Sequence, residues 1–206
     1  MRVMRTDNLL TIKDVVINKG LKLPDIMLSS GEILWLQTDN NLQIDAFISF
    51  ILGLFDIKKG KATLSGNDVT KNVKIISYTD ISRWNPKTEN VVTFIKLLAH
   101  AGNFQISSVM NEFKRILDGM GAGYALNLSF EEMSANTKIM VSTAATLSMP
   151  RLLVILMEPF TGLDKDGISF ISDEIKKTAL DGSSFIILSD SEPSIHSKHV
   201  KMGFGS

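Results

Sequence analysis

The sequence predicts an α/β fold with a mixed core sheet, an antiparallel β portion near the N-terminus and a helical subdomain. Short apolar runs such as residues 152–157 are separated by segments of helical periodicity, which is typical of a mostly parallel sheet. The N-terminal part instead alternates loosely around turns, and residues 90–127 show two helical patterns in succession. We therefore expect a single domain over residues 1–206, with an α/β core at 1–89 and 128–206 and the helical subdomain between them.

The first elements are predicted from alternation and turn residues. Residues 9–16 and 21–28 alternate loosely between apolar and polar side chains, so we expect two strands there. Asn18, Lys19 and Gly20 between them favour a turn. Residues 33–36 then predict a short buried strand.

A helix and a hairpin follow. The polar residues 37–43 predict a loop, and residues 44–54 predict a helix that is apolar on nearly every side and is therefore buried. Gly53 is placed where a helix stop is expected. Residues 58–68 predict a hairpin, and residues 73–78 predict another strand.

Two helices are predicted in the middle of the chain, at residues 88–100 and 108–120. Apolar side chains recur there at spacings of three and four, so that each segment has one apolar face. A cluster of glycines that would end the second helix follows, namely Gly119, Gly121 and Gly123.

The C-terminal part opens with a helix signal. Ser129 and Glu132 have the spacing of a capping box, which predicts a helix through Thr146. The remaining predicted elements are a strand at residues 152–157, a helix at 168–177 and a strand at 185–188.

Composition excludes several classes of function. The 22 Lys and Arg residues balance 22 Asp and Glu residues, which argues against general binding of nucleic acid. The absence of cysteine excludes disulfides, thiolate catalysis and Cys-ligated zinc. His196 and His199 lack clustered carboxylates, so we interpret them as a chance pair and not as a metal site. The apolar runs are shorter than the ~20 residues that cross a bilayer, and we expect a soluble intracellular domain.

The order of the segments resembles the ATP-binding subunits of ABC transporters. Residues 31–36, the polar stretch and the apolar helix ending at Leu54 resemble the start of such a subunit, where a phosphate-binding loop occupies the polar stretch. Residues 59–69 resemble the hairpin that follows, and residues 150–164 resemble the Walker B strand and the D-loop. Residues 186–189 fit the strand before the switch histidine of the family. The resemblance covers nearly the whole chain and implies the P-loop NTPase-like fold of ABC ATPases.

The nucleotide-contacting motifs of that family are replaced here. A Walker A loop needs two glycines, a lysine that neutralises phosphate and a Ser or Thr that binds Mg²⁺. The matching positions hold, in order, Thr38, Asp39, Asn40, Asn41, Leu42, Gln43, Ile44 and Asp45. Each carboxylate placed about 4 Å from a phosphate would cost about 4 kcal/mol at an effective dielectric of about 20. We therefore expect no ATP binding by this loop.

Asp45 has two further interpretations. We expect it in the first turn of the following helix, where a carboxylate is stabilised by the macrodipole. Direct binding of Mg²⁺ by Asp45 is the alternative.

The signature motif is similarly degenerate. Its matching residues are Leu128, Ser129, Phe130, Glu131 and Glu132. Ser129 is retained, and we interpret it as the helix N-cap. Phe130 is expected to crowd a nucleotide at a dimer interface, and Glu131 is expected to repel its terminal phosphate.

Other family positions have changed as well. The metal-organising Asp of Walker B is Met157, while the position of the general base keeps Glu158. We interpret Glu158 as vestigial, with pairing to a nearby cation as the alternative. The switch histidine position holds Asp190, and the glutamine of the loop entering the helical subdomain falls on Ile81 or, after a slip of one residue, on Asp80.

The D-loop is retained at Gly162, Leu163 and Asp164, and the resemblance places Ser129 and Asp164 at a subunit interface. Residues 18–20 offer no aromatic side chain that would stack on adenine. The aromatic side chains that we consider as contacts to a membrane subunit are Trp84, Phe94 and Phe104. The alternative, which we favour for Phe94 and Phe104, is that these two are core residues; Trp84 is equally well explained as a loop aromatic.

These observations predict a catalytically inactive, ATPase-like subunit of a bacterial-type ABC transporter, at the inner face of the cell membrane. The resemblance implies head-to-tail pairing with an active ATPase paralogue, or as a homodimer, and association with an integral-membrane permease. No cofactor is expected in this chain alone, and ATP with Mg²⁺ is expected only at a site shared with a partner. Two alternatives stay open: a scaffold or regulator unrelated to transport, and an ATPase with a rearranged site.

Overall fold

The computed structural model of the protein describes residues 8–17, 20–81 and 90–202. These residues form two β-sheets and five α-helices. The strands are β1 (Leu10–Ile17), β2 (Ile26–Leu28), β3 (Ile33–Gln37), β4 (Ile57–Leu64), β5 (Asn67–Asp68), β6 (Ile76–Ser77), β7 (Leu153–Met157), β8 (Ser184–Ser189) and β9 (Lys198–Lys201). The helices are α1 (Asn41–Ile51), α2 (Val91–Ala101), α3 (Ile106–Gly119), α4 (Ala135–Ser148) and α5 (Lys165–Leu180).

The N-terminal strands form an antiparallel sheet in the order β2-β1-β4-β5. The predicted hairpin is confirmed, and its turn is formed by Ser65 and Gly66, both in the left-handed region. The second predicted strand is shorter than residues 21–28, since only its last part pairs continuously with β1. Pro24 explains the difference because proline has no N–H to donate to a ladder.

The second sheet is parallel and central, in the order β6-β7-β8-β3-β9. Successive side chains of β7 point to opposite faces: Leu153 and Ile155 face one core, and Val154 and Leu156 face the other. A parallel sheet that is covered on both faces needs continuous apolar strands, which is the pattern of β7.

Two hydrophobic cores lie on the two faces of this sheet. The core that we call the sheet core lies between the parallel sheet, the antiparallel sheet and α1. The core that we call the helical core joins the opposite face of the parallel sheet to α2, α3, α4 and α5. Because β7, β8 and β3 are parallel neighbours, their carboxyl ends lie at one edge of the sheet, between the two cores.

Several predicted boundaries are wrong, and three of the differences have a local reason. The predicted strand at residues 73–78 is a 3-10 turn at Val73–Ile75 followed by the two residues of β6. Helix α1 begins at Asn41, earlier than predicted, because Asn40 caps it. Helix α4 begins at Ala135 and not at Ser129, since the extended backbone of Ser134 separates it from the preceding turn.

The interval predicted as a helical subdomain contains α2, α3 and a 3-10 turn at Gly123–Asn127. These helices pack in the same core as α4 and α5, so the division into subdomains stays a prediction. Among the described residues, every helix is too short or too polar to cross a lipid bilayer.

Candidate functional site

The predicted site residues converge at the carboxyl edge of the parallel sheet. Thr38 follows β3, Glu158 follows β7 and Asp190 follows β8. The three strands are adjacent in the sheet, so the segments that leave them lie side by side. This edge is where open α/β sheets bind ligands.

The segment after β3 is too short to wrap a ligand. Strand β3 ends at Gln37 and α1 begins at Asn41, which leaves residues 38–40 as the connection. Asn41, Leu42 and Gln43, which match the interior of a phosphate-binding loop, instead form the first turn of the helix. The sequence prediction of a loop through residue 43 is therefore wrong.

The amino end of α1 is capped by the chain itself. The side-chain Oδ1 of Asn40 accepts hydrogen bonds from the backbone N–H groups of Leu42, at 2.9 Å, and Gln43, at 3.3 Å. Thr38 donates its hydroxyl to Oε1 of Gln43 at 2.8 Å and accepts the N–H of Asn40 at 3.1 Å. The backbone donors that a phosphate needs at a helix N-terminus are thus already used.

The side chains in and beside this first turn also offer no positive charge to a phosphate. Gln43 is 4% exposed and Ile44 is 6% exposed, so the position of the phosphate-binding lysine faces the sheet core. Asp39 and Asp45 are exposed. The prediction that Asp45 lies in the first helical turn is wrong, because the earlier start of α1 places no acidic residue there.

Glu158 connects the segments that leave β7 and β8. Its backbone lies in the left-handed region, at φ 47°, and its N–H donates to the carbonyl of Leu188 at 2.9 Å. One carboxylate oxygen accepts the N–H of Asp190 at 3.0 Å, and the other accepts the hydroxyl of Thr161 at 3.3 Å. No cation among the described residues lies within ion-pair distance of this carboxylate. The contacts of the Glu158 carboxylate are therefore hydrogen bonds to neighbouring segments of the same chain.

A second set of contacts joins β3 to the segment after β8 and to β9. The side-chain N–H of Gln37 donates to the carbonyl of Asp190 at 3.1 Å, and its Oε1 lies 3.0 Å from Nε2 of His199. The His199 ring stacks on Trp35, with the ring centroids 4.1 Å apart. Sequence analysis missed this arrangement because β9 carries no apolar run. The described residues contain no group of three or more potential metal ligands.

The positions of the missing metal-organising and glutamine residues face the interior. Met157 packs at the edge of the sheet core, and Ile81 is buried in the helical core. The N–H of Ile81 donates to the hydroxyl of Ser142 at 2.8 Å. Nearby, burial raises the pKa of Tyr78 well above its usual range, assisted by Asp80, whose carboxylate accepts its hydroxyl at 3.1 Å.

The retained D-loop has a structural role in the chain itself. Asp164 caps α5, since its carboxylate accepts the N–H of Gly167 at 2.8 Å. Gly162 has φ 78°, and a β-carbon there would lie 2.8 Å from the side chain of Asn136. The D-loop is therefore packed directly on the amino end of α4.

The segment that was matched to the signature does not begin a helix. Ser129 donates its backbone N–H and its hydroxyl to Glu132, both at 2.8 Å, and this closes a single turn. The backbone N–H and the hydroxyl of Ser129 lower the pKa of the Glu132 carboxyl. The interpretation of Ser129 as the helix N-cap is wrong: Ser134 caps α4, accepting the N–H of Thr137 at 3.1 Å.

The prediction for Phe130 is also wrong. Phe130 is 3% exposed and packs edge-to-face on Phe94 with the ring centroids 5.6 Å apart, so it faces the helical core and not a nucleotide. Phe94 is 3% exposed, which confirms its interpretation as a core residue over that of a contact to a membrane subunit. Phe104 is half-buried, and the guanidinium carbon of Arg151 lies 4.6 Å from the centroid of its ring. Trp84 and the turn at residues 18–19 lie outside the described residues.

Two curated proteins are similar to this chain in sequence. A "putative ABC transporter ATP-binding protein" of Bacillus cereus is 27% identical over 180 residues, covering 82% of this chain and 31% of that protein. A protein of the same description from Pyrococcus furiosus is 25% identical over 180 residues, covering 83% of this chain and 65% of its own length. The chain thus spans less than two thirds of the length of these relatives. No family model matches the chain.

Solved structures show the same fold. A "putative ABC transporter (ATP-binding protein)" from Pyrococcus furiosus superposes with a TM-score of 0.73 at 19% identity, covering 93% of this chain and 96% of that one. An ATP binding subunit of an ABC transporter gives 0.71 at 18% identity, with coverages of 88% and 79%. A component of an ABC transporter complex of Clostridium perfringens gives 0.66 at 18% identity, with coverages of 90% and 79%. The chain has the ABC ATPase fold, and the predicted fold class is confirmed.

Proposed function

We propose that this chain is an ATPase-like subunit of an ABC-type transporter that neither binds nor hydrolyses ATP on its own. In this proposal it acts as a structural or regulatory partner of an active ATPase subunit and of a membrane permease, at the cytoplasmic face of the membrane. The fold and the similar proteins support the family-level part of this proposal. The capped helix start after β3, with buried Ile44 at the lysine position, supports the part of the proposal that concerns nucleotide binding.

The observation that carries the proposal is the cap on α1. A phosphate placed at this helix end would have to displace Asn40 from two backbone N–H groups and separate Thr38 from Gln43. Each such hydrogen bond contributes about 1 kcal/mol. The phosphate would then meet exposed Asp39 and no lysine, because the lysine position is buried Ile44. The loss of attraction, the capping and the added negative charge all disfavour ATP.

Pairing with an active subunit would leave one composite site able to hold nucleotide. That site would use the partner's intact phosphate-binding loop and the amino end of α4 in this chain. We place this end at exposed Ser134, because Ser129 instead bonds Glu132 in the preceding turn. Asp164 borders the same region through the packing of Gly162 on Asn136.

Calorimetric titration of the isolated chain with ATP·Mg²⁺ tests the proposal. We expect no saturable heat, since the donors of the loop are used internally. An intact ATP-binding subunit titrated in the same buffer is the control for nucleotide quality. Binding in the micromolar range would overturn the proposal.

Co-purification from the native membrane separates the transporter role from the scaffold alternative. A transporter subunit should copurify with a multi-span membrane protein and with an ATPase that carries an intact G-x-x-x-x-G-K-[ST] motif. Recovery of the chain with neither of these would favour a scaffold or regulator outside transport.

A further inference from the structure

An open groove lies along the amino edge of the parallel sheet, which is the edge opposite the candidate site. It has a volume of about 880 Å³. Residues that lead into three adjacent strands line it, namely 30–31 before β3, 150–152 before β7 and 181–183 before β8. The volume is similar to that of ligand-binding clefts, so the groove can receive side chains of another chain.

Apolar side chains form a group on the surface of this groove. Leu152 is 45% exposed, and Leu180, the last residue of α5, is 88% exposed. Half-buried Ile75 and Phe104 line the same surface. Single exposed leucines are common on soluble proteins, whereas a group of apolar side chains around one concave surface marks an interaction site. The groove is therefore a candidate interface.

Arg151 adds a positive charge to this surface without a counter-charge. One of its Nη groups donates to the carbonyl of Gly102 at 2.8 Å, and the guanidinium lies over the ring of Phe104. In the described parts of the chain, no carboxylate lies within ion-pair distance of Arg151. A guanidinium has five N–H donors in a fork that matches a carboxylate. The remaining donors of Arg151 can therefore bind a carboxylate of another molecule.

Asp181 adds the opposite charge to the same groove. It is exposed and directly follows α5 as its C-cap, where the helix macrodipole disfavours a carboxylate. Within residues 8–17, 20–81 and 90–202 it too has no ion-pair partner. A cation from another molecule would therefore be favourable beside Asp181. The groove thus has one positive and one negative charge, both unpaired, beside exposed leucines.

We propose that this groove is the interface of a homodimer in which two copies of the chain meet about a twofold axis. Such an interface must be self-complementary, because each residue meets its counterpart's partner in both directions. Arg151 of each copy pairs with Asp181 of the other copy, and Leu180 of each copy packs in the groove of the other against Leu152. A second copy fits this surface because it supplies both signs of charge and an exposed leucine. The dimer uses the edge opposite the candidate site, so it does not depend on the proposed function.

Sedimentation equilibrium of the unmodified chain is the first test. A stable interface uses about 20–30 residues on each side, which is more than the groove supplies, so we expect a dissociation constant of about 10–100 µM. The constant should increase with NaCl concentration, because the two ion pairs lie in a groove that is open to solvent. A chain that stays monomeric at about 300 µM would overturn the proposal.

Two charge reversals test the pairing itself. Asp181→Arg and Arg151→Glu each bring like charges together in the dimer, so each variant alone should associate at least about tenfold more weakly. An equimolar mixture of the two variants should dimerise with the affinity of the unmodified chain, since both contacts then join opposite charges. Circular dichroism checks that each variant is folded. A mixture of folded variants that does not associate would overturn the proposal.

Leu180→Ser tests the apolar contact without altering a buried residue. Leu180 is exposed in the single chain, so folding should be unaffected, whereas the dimer should weaken by at least about tenfold. Leu97→Ser on α2, at a side chain that is 54% exposed and outside the groove, is the matched control and should leave association unchanged. Asp39→Arg, at the carboxyl edge, distinguishes a dimer that is built on the candidate site. Loss of association in Asp39→Arg but not in Leu180→Ser would overturn the proposal.

Discussion

At the scale of single residues, Glu158 has a role that its position in the sequence does not suggest. In the resemblance it stands at the position of a general base, yet its two carboxylate oxygens accept hydrogen bonds from Asp190 and Thr161. It also adopts a left-handed backbone, which costs about 1 kcal/mol for a residue with a β-carbon. Both features are explained if Glu158 fixes the segments that leave β7 and β8.

This role predicts a difference between two substitutions of Glu158. Glu158→Gln keeps an acceptor for the N–H of Asp190 and can donate to Thr161, so the free energy of unfolding should change by less than about 0.5 kcal/mol. Glu158→Ala loses both bonds and should be destabilised by about 1–2 kcal/mol. Urea denaturation measures both. Equal destabilisation by the two substitutions would contradict the role of the carboxylate as a hydrogen-bond acceptor.

At the scale of secondary-structure elements, the starts of α1 and α4 decide what the site can do. Each helix is capped by a residue that sequence analysis did not predict as a cap, Asn40 for α1 and Ser134 for α4. The cap of α1 accepts two backbone N–H groups, those of Leu42 and Gln43, whereas the cap of α4 accepts one, that of Thr137. The two helix starts therefore differ in how many backbone donors the chain itself uses.

The position of the α4 cap predicts unequal effects of two serine substitutions. Ser134→Ala removes the side chain that accepts the N–H of Thr137 and should destabilise the protein by about 1 kcal/mol. This corresponds to a melting temperature about 2–4 °C lower for a protein of this size. Ser129→Ala removes a hydrogen bond in an isolated turn and should cost less than half as much. A larger effect at Ser129 in thermal denaturation would show that α4 begins there after all.

Helices α3 and α5 are joined by an ion-pair network that predicts a pH dependence. Arg115 of α3 forms bidentate pairs with Glu112 on the same helix and with Glu174 on α5. The hydrogen bonds from Arg115 lower the pKa of Glu112 below its ordinary value of 4.5. The stabilisation is therefore fully present above pH 4.5 and is lost as the pH falls through the lower folded-state pKa.

Glu112→Gln should accordingly lower the free energy of unfolding at neutral pH by less than about 1 kcal/mol, because the pair is partly exposed to solvent. The difference from the unmodified protein should shrink as the pH falls below 4.5. Urea denaturation at a series of pH values measures it. Glu131→Gln, at an exposed carboxylate, is the control. A difference that stays constant down to acidic pH would contradict the assignment.

At the scale of the whole molecule, two cores share one parallel sheet. The apolar side chains of β7 and β8 serve both cores in alternation, so the sheet cannot shift without disturbing both layers. The strands that carry Thr38, Glu158 and Asp190 are fixed by this arrangement and not by any ligand. The fold therefore does not require a glycine or lysine in the loop after β3.

The order of elements could be predicted from the sequence because periodicity and turn residues are local properties. The parallel strands β3, β7 and β8 and the helices α2, α3 and α5 are predicted in this way, with ends that differ from the structure by at most three residues. Strand β9 was missed, since Lys198, His199, Val200 and Lys201 form an exposed edge strand without an apolar run. The replaced motif positions were also visible in the sequence alone, because they depend only on residue identity.

The sequence by itself determined the order of most elements, the fold class and the absence of glycine and lysine from the loop after β3. Only the tertiary structure decided where α1 and α4 begin, that Phe130 and Ile44 are buried, and that Glu158 bonds Asp190. The reason is physical: a helix cap depends on the backbone conformation before it, and burial depends on the opposing layer. The partners Glu158 and Asp190 are 32 residues apart, and pairing of β7 with β8 brings them together.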